Sequence, residues 1–184
     1  MVVTEYNGSW PNQFLLLKNI YEKILSDKIL RIEHVGSTAI AGMCAKPIID
    51  IIIVIENDEN FRAVKTGLES IGYLHNGDQG IAGREAFKRV NREDNEIKKN
   101  AGEYDVLDSI NHHLYVCAEN NFELKKQTQF RDYLNSHEEA KQQYCQIKKA
   151  IIEKTGNENR QGYVEMKAAD YSWFFEEIMR KAEK

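Results

Sequence analysis

The chain has 184 residues, 42% of them hydrophobic and 29% charged, with a formal net charge of −4. That is enough chain and enough apolar side chain to bury a real core, so a soluble globular protein of one domain is expected. The acidic balance argues against a dedicated nucleic-acid surface, and no apolar run reaches the length of a membrane span. The opening MVVTEYNGSW lacks a basic region followed by an apolar one, so no signal peptide is expected and the expected location is cytoplasmic. The three cysteines, Cys44, Cys117 and Cys145, are odd in number and lack paired spacing. They predict no disulfide framework and suit a reducing compartment.

Trp10 to Lys28 reads as an amphipathic helix, with Phe14, Leu17, Ile20, Tyr21, Ile24 and Leu25 recurring at three- and four-residue steps. Ser9 or Asn12 is placed to cap it, and Pro11 is tolerated in its first turn. Ile29 to Val35 follows as a strand ending in Glu33 and His34; a histidine there either holds the turn by a hydrogen bond or reaches a ligand. The turn GSTAIAG comes next. Its glycine lets backbone approach a ligand, and Ser37 and Thr38 add hydroxyls that either cap a short helix or meet an anion. The turn is neither a Walker loop nor a dinucleotide fingerprint, because GKS/T and GxGxxG are both missing.

Ile48 to Ile55, IIDIIIVI, is a β-branched run of the length expected for a strand buried on both faces. A bare carboxylate inside it would cost several kcal/mol. Asp50 is therefore either a structural acid satisfied by neighbouring donors or a metal-binding or catalytic carboxylate.

Glu56 to Ser70 reads as a helix, closed by Gly72. Tyr73 to His75 begins a third strand, and 76–83, NGDQGIAG, is turn material. Arg84 to Val90 is a basic strand on which Arg84, Phe87 and Lys88 either face a triphosphate or form a solvated face. Residues 91–111 read as a long polar loop, a surface connection or a lid. In the strand His112 to Ala118, period two puts His113, Tyr115 and Cys117 on one face, and His113 is the candidate to meet Asp50.

The remainder is helical. Asn121 to Asn135 is one helix; Ser136 and Glu139 match a capping box opening the next, which Thr155-Gly156 stops. Asn159 to Lys181 reads as a single last helix whose aromatics are core. Lys125, Lys126, Lys148 and Lys149 read as a solvated face, whereas Arg131 and Lys167 are within reach of a phosphate.

HVGSTAIAG followed by AKPIIDI resembles the signature of the GrpB family, also called UPF0157, of the nucleotidyltransferase superfamily. The likeness runs on through Tyr6, Trp10-Pro11, Gly72-Tyr73, Arg84 to Lys88, His112 to Val116, Phe130 to Leu134, and Tyr163 with Lys167, so it covers nearly the whole chain. It implies an α+β fold: a nucleotidyltransferase-like mixed, mostly antiparallel β-sheet packed with helices, plus a C-terminal helical segment. The domain would be single, with a core over about 10–118 and helices over about 119–184 walling one side of a cleft.

The resemblance also implies a site. Gly36, Ser37, Thr38 and Lys46 would hold a phosphate-bearing ligand, with Arg84 and Lys88 neutralising charge. Asp50 and His113 would be catalytic and bind a divalent metal, Mg²⁺ or Mn²⁺. Active nucleotidyltransferases carry a second acid two residues after the first, on the same strand face; here that position is Ile52. Two functions stay open. One is transfer of a nucleotidyl group from a nucleoside triphosphate to a small-molecule acceptor. The other is non-catalytic binding of a nucleotide or CoA-like ligand on the same fold.

Overall fold

In the computed structural model, residues 3–90, 105–156 and 158–182 are described. The spine is β2, Ile49–Ile55, in which every residue but Asp50 is buried. A strand so apolar needs cover on both faces. Beside it lie β1, Arg31–Val35, antiparallel, and β5, His112–Ala118, parallel. The sheet continues through β4, Arg84–Arg89, and β3, Tyr73–His75, both antiparallel, giving the order β1-β2-β5-β4-β3. The β2–β5 pair is the one parallel pairing in this sheet, and α2, β3, β4 and α3 lie along the connection between its strands. The α+β class and mixed sheet match the expectation.

Strand alternation divides the cover. Ile49, Ile51, Ile53 and Ile55 enter the main core with α1, Trp10–Leu25, α2, Phe61–Ser70, and α3, Asp105–Ser109. Burying each such side chain contributes about 1.5–3 kcal/mol. Ile52 and Val54 point the other way, under Leu124 of α4, Phe122–Ser136. A separate apolar cluster joins the loop carrying Ile40, Met43 and Cys44 to α4, α5 (Glu138–Thr155) and α7 (Ser172–Ala182). α6, Arg160–Asp170, packs on α5.

Four expectations need correction. Residues 159–181 form two helices, not one: the chain breaks at Tyr171, so that α6 packs on α5 while α7 packs on α4. The capping box is absent. Ser136 Oγ donates back to Asp132 and Tyr133 carbonyls inside α4, and His137, stacked on Tyr133 at 3.8 Å, stands at the head of α5. The segment read as a loop over 91–111 contains α3, whose Leu107 is buried; 91–104 lie outside the described residues. Finally, Cys44 and Cys145 are disulfide-bonded across a separation of 101 residues. Sequence spacing cannot see a pair that only the docking of α5 brings together, and the cysteine count no longer argues for a reducing compartment. No helix among the described residues is long and apolar enough to cross a membrane.

Candidate functional site

Pairing of β2 with β5 places Asp50 directly beside His113. Side chains opposed in register share a face, and His113 Nδ1 lies 2.8 Å from Asp50 Oδ1. Both remain open to solvent, with side chains 39% and 29% exposed. Gly36 reaches its turn with φ +71°, and a Cβ there would collide with Asp50 Oδ2. Only glycine lets the turn close over the carboxylate.

The turn itself, a single 3₁₀ turn over Ser37–Ala39, divides its two hydroxyls between different tasks. Thr38 is buried; its Oγ1 donates to the Ile48 carbonyl at 3.1 Å and lies 3.0 Å from His34 Nε2. His34 stacks on Phe14 at 4.7 Å, and burial pulls its pKa down to about 4, leaving a neutral ring. Thr38 and His34 therefore brace the turn. Arg131 does similar work below it, donating to the His34 carbonyl and to Glu33.

Ser37 meets Lys148 instead. Lys148 Nζ donates to Ser37 Oγ at 2.6 Å and to the Cys44 carbonyl at 2.8 Å, and stands 4.3 Å over the Tyr144 ring. The residue is 3% exposed. Burial holds its amine well below the usual lysine range; the Lys167 charge adds to this and Asp50 opposes it. Lys167 lies over the Phe175 ring at 4.8 Å and the Tyr144 ring at 5.7 Å. Ser37, Lys46, Asp50, His113, Lys148 and Lys167 line one cleft of about 210 Å³. Thr38, Val3, Ile48, Tyr144, Tyr163 and Val164 complete its wall.

The helical remainder thus closes one side of the cleft. Arg84 and Lys88 stay outside it. Arg84 opposes Cys117, four residues along β5 from His113, roughly 13 Å at strand rise. Its guanidinium lies over Tyr115 at 4.3 Å. Lys88 is exposed, and Phe87 turns to the opposite face, into the main core.

Asp50 and His113 are the donors that the expected divalent metal would use. Asp50 and His113 are hydrogen-bonded to each other, and no group of three His, Cys, Asp or Glu side chains that could hold a metal occurs among the described residues. Ile52, where the second acid would stand, is buried with Val35, Val54, Cys117 and Leu124. Around this cleft the nearby positive charge is carried by lysine.

Sequence reasoning missed Lys148, and a signal for it existed. Tyr144 and Lys148 are four residues apart on α5, and Tyr163 and Lys167 four apart on α6. That spacing stacks each pair on one helix face, and all four line the cleft. The repeat of one pattern on adjacent helices distinguishes these lysines from a solvated face.

The model of the GrpB protein family matches residues 1–181. The UPF0157 protein BH1888 of Halalkalibacterium halodurans is 28% identical over 183 residues, covering 99% of this chain and 82% of that one. The UPF0157 protein YqkA of Bacillus subtilis is 29% identical over 146 residues; these are 79% of this chain but only 38% of YqkA. The crystal structure of the conserved protein GrpB from Enterococcus faecalis superposes with a TM-score of 0.76 at 27% identity, covering 99% of both chains.

Proposed function

We propose that this chain, which belongs to the GrpB family, binds a phosphate-bearing small molecule in its lysine-lined cleft. The observation that carries the reading is the convergence of Lys148, Lys167 and Ser37 on one concavity, in a chain of net charge −4. Burying an amine is unfavourable unless something compensates its charge. An anion entering the cleft would do so, gaining charge-assisted hydrogen bonds from both lysines and one from Ser37. Lys46 borders the same space. Gly36 keeps the adjoining backbone uncluttered. Ammonium groups would then do the neutralising that a metal ion does in two-carboxylate sites. The ligand class is a nucleotide or a CoA-like molecule, with its phosphate in the cleft.

A second reading keeps chemistry at the site: nucleotidyl transfer from a nucleoside triphosphate to a small-molecule acceptor. It is favoured by the exposure of the Asp50–His113 pair. With Nδ1–H donating to Asp50, His113 keeps Nε2 as a proton acceptor for an incoming hydroxyl. Thermal melts with ATP, GTP, CTP, CoA and pyrophosphate, each with and without Mg²⁺ or Mn²⁺, separate the two, because a ligand that binds the native state raises the melt. A metal-independent shift that is lost in Lys148→Met supports the binder. A metal-dependent nucleotide shift that vanishes in Asp50→Ala, with pyrophosphate release, supports transfer. No shift with any of them removes both.

A further inference from the structure

We infer that the Cys44–Cys145 disulfide is a redox latch on this cleft: closed, it holds Lys148 against Ser37; opened by a dithiol, it frees that lysine and weakens anion binding. The inference rests on the anion-binding reading above and adds regulation to it.

The bond ties the loop that follows the Gly36-Ser37 turn to α5. On α5, Cys145 stands between Tyr144 and Lys148, both of which line the cleft. On the loop, Cys44 is held twice: its sulfur by Cys145 and its carbonyl by Lys148 Nζ at 2.8 Å. The covalent link and the lysine's anchor therefore belong to the same residue. Other contacts hold the loop from other sides. Asn135 of α4 bonds Ala39 and Ala41, and Thr4 pairs with Ala45. Apolar packing of Ile40 and Met43 against Tyr144, Ile147 and Ile151 keeps loop and helix together without the bond, but it is not directional. An amine 3% exposed stays in place only while its fixed acceptors do. Once Cys44 and Cys145 separate, solvation draws that amine outward.

The exchange is balanced by an external dithiol. Its thiolate attacks Sγ of Cys145, the more exposed of the two residues. A mixed disulfide forms, the Cys44–Cys145 bond breaks, and Cys44 leaves as a thiolate that takes a proton from water. The reductant's second thiol then displaces Cys145 and closes the reductant's own disulfide, so two electrons pass to the protein. Cys117 takes no part: it is buried, and burial raises its thiol to about 12.

The test is calorimetric titration of pyrophosphate into the full chain, oxidised and after dithiothreitol, with Cys145→Ser and Cys117→Ser in parallel. Reduction is expected to weaken binding roughly tenfold, the loss of one charge-assisted contact. Cys145→Ser should match the reduced protein and ignore dithiothreitol, and Cys117→Ser should behave as the parent. Amide hydrogen exchange, read on the same samples, should rise over 37–45 and 144–148 on reduction. Equal affinities in the two redox states overturn the latch. So does alkylation of both Cys44 and Cys145 in air-oxidised protein. If pyrophosphate binds neither form, the anion reading falls, and exchange decides the latch alone: unchanged protection rejects it.

Discussion

At the scale of single residues, the cleft combines side chains that carry a cost in isolation. Asp50 was legible in the sequence because an acid in an isoleucine run has few innocent explanations, and His113 because period two placed it on one face of its strand. Lys148 was not, since a lysine on a polar helix is ordinarily solvated; only its neighbours in space bury it. A buried, depressed lysine has a signature. Lys148→Met is expected to leave the melting temperature unchanged or higher while removing pyrophosphate binding, because an apolar side chain of similar length avoids the desolvation cost. A melt several degrees lower would make the lysine a structural strut. His34 gives a pH prediction. Its pKa falls from 6.5 to about 4 on folding, chiefly by burial. The unfolded chain therefore binds the extra proton between those values, and stability present above 6.5 is lost as pH falls toward 4. The full effect is on the order of 3 kcal/mol. Urea unfolding of wild type and His34→Gln near neutral pH and near pH 4.5 checks it: the acid-side loss should be smaller in the variant, and equal losses would refute the assignment.

At the scale of elements, strands were easier to foresee than helix ends. The β2 run, the β5 alternation and the Gly72 stop all express local rules: both strands formed within a residue of their expected spans, and α2 ends at Ser70 as expected but starts at Phe61, five residues later than Glu56, after a 3₁₀ turn over Asp58–Asn60. The break at Tyr171 and the missing capping box depend on which helix packs on which, a tertiary choice with no local code. β2 also decides how the absent second acid should be understood. Ile52 is 1% exposed and sits in an apolar cluster with Val35, Val54, Cys117 and Leu124. Its face of the strand is sealed one step beyond Asp50, where α4 covers the sheet. Ile52→Asp would therefore place a charge in that cluster rather than complete a metal clamp. The variant is expected to lose several kcal/mol of stability in denaturant titration, with no gain in Mn²⁺-dependent nucleotide binding. A stable variant that did gain such binding would show the cluster to be open enough for a clamp.

At the scale of the molecule, one side of the cleft is built by the sheet and its turn, the other by α5 and α6. The wall itself was foreseeable from the helical C-terminal segment, but its chemistry was not, because it comes from residues more than a hundred positions away from Ser37. If an anion binds in the cleft as proposed, its binding is proton-linked. In the free protein, burial and Lys167 hold the Lys148 amine well below its ordinary value of 10.5, so it more readily goes without its proton. An anion in the cleft favours the charged form and raises that pKa. The bound state then holds more protons than the free state over the window between the two values. Affinity must fall as pH rises through that window, opposite in sign to what titration of a phosphate's own second proton near pH 6 would give. Titrating pyrophosphate in buffers of different ionisation enthalpy measures the proton uptake directly. Uptake should be positive in the parent and fall toward the ligand's own contribution in Lys148→Arg, whose guanidinium keeps its charge throughout. If parent and variant take up the same number of protons, Lys148 is not the group that meets the anion.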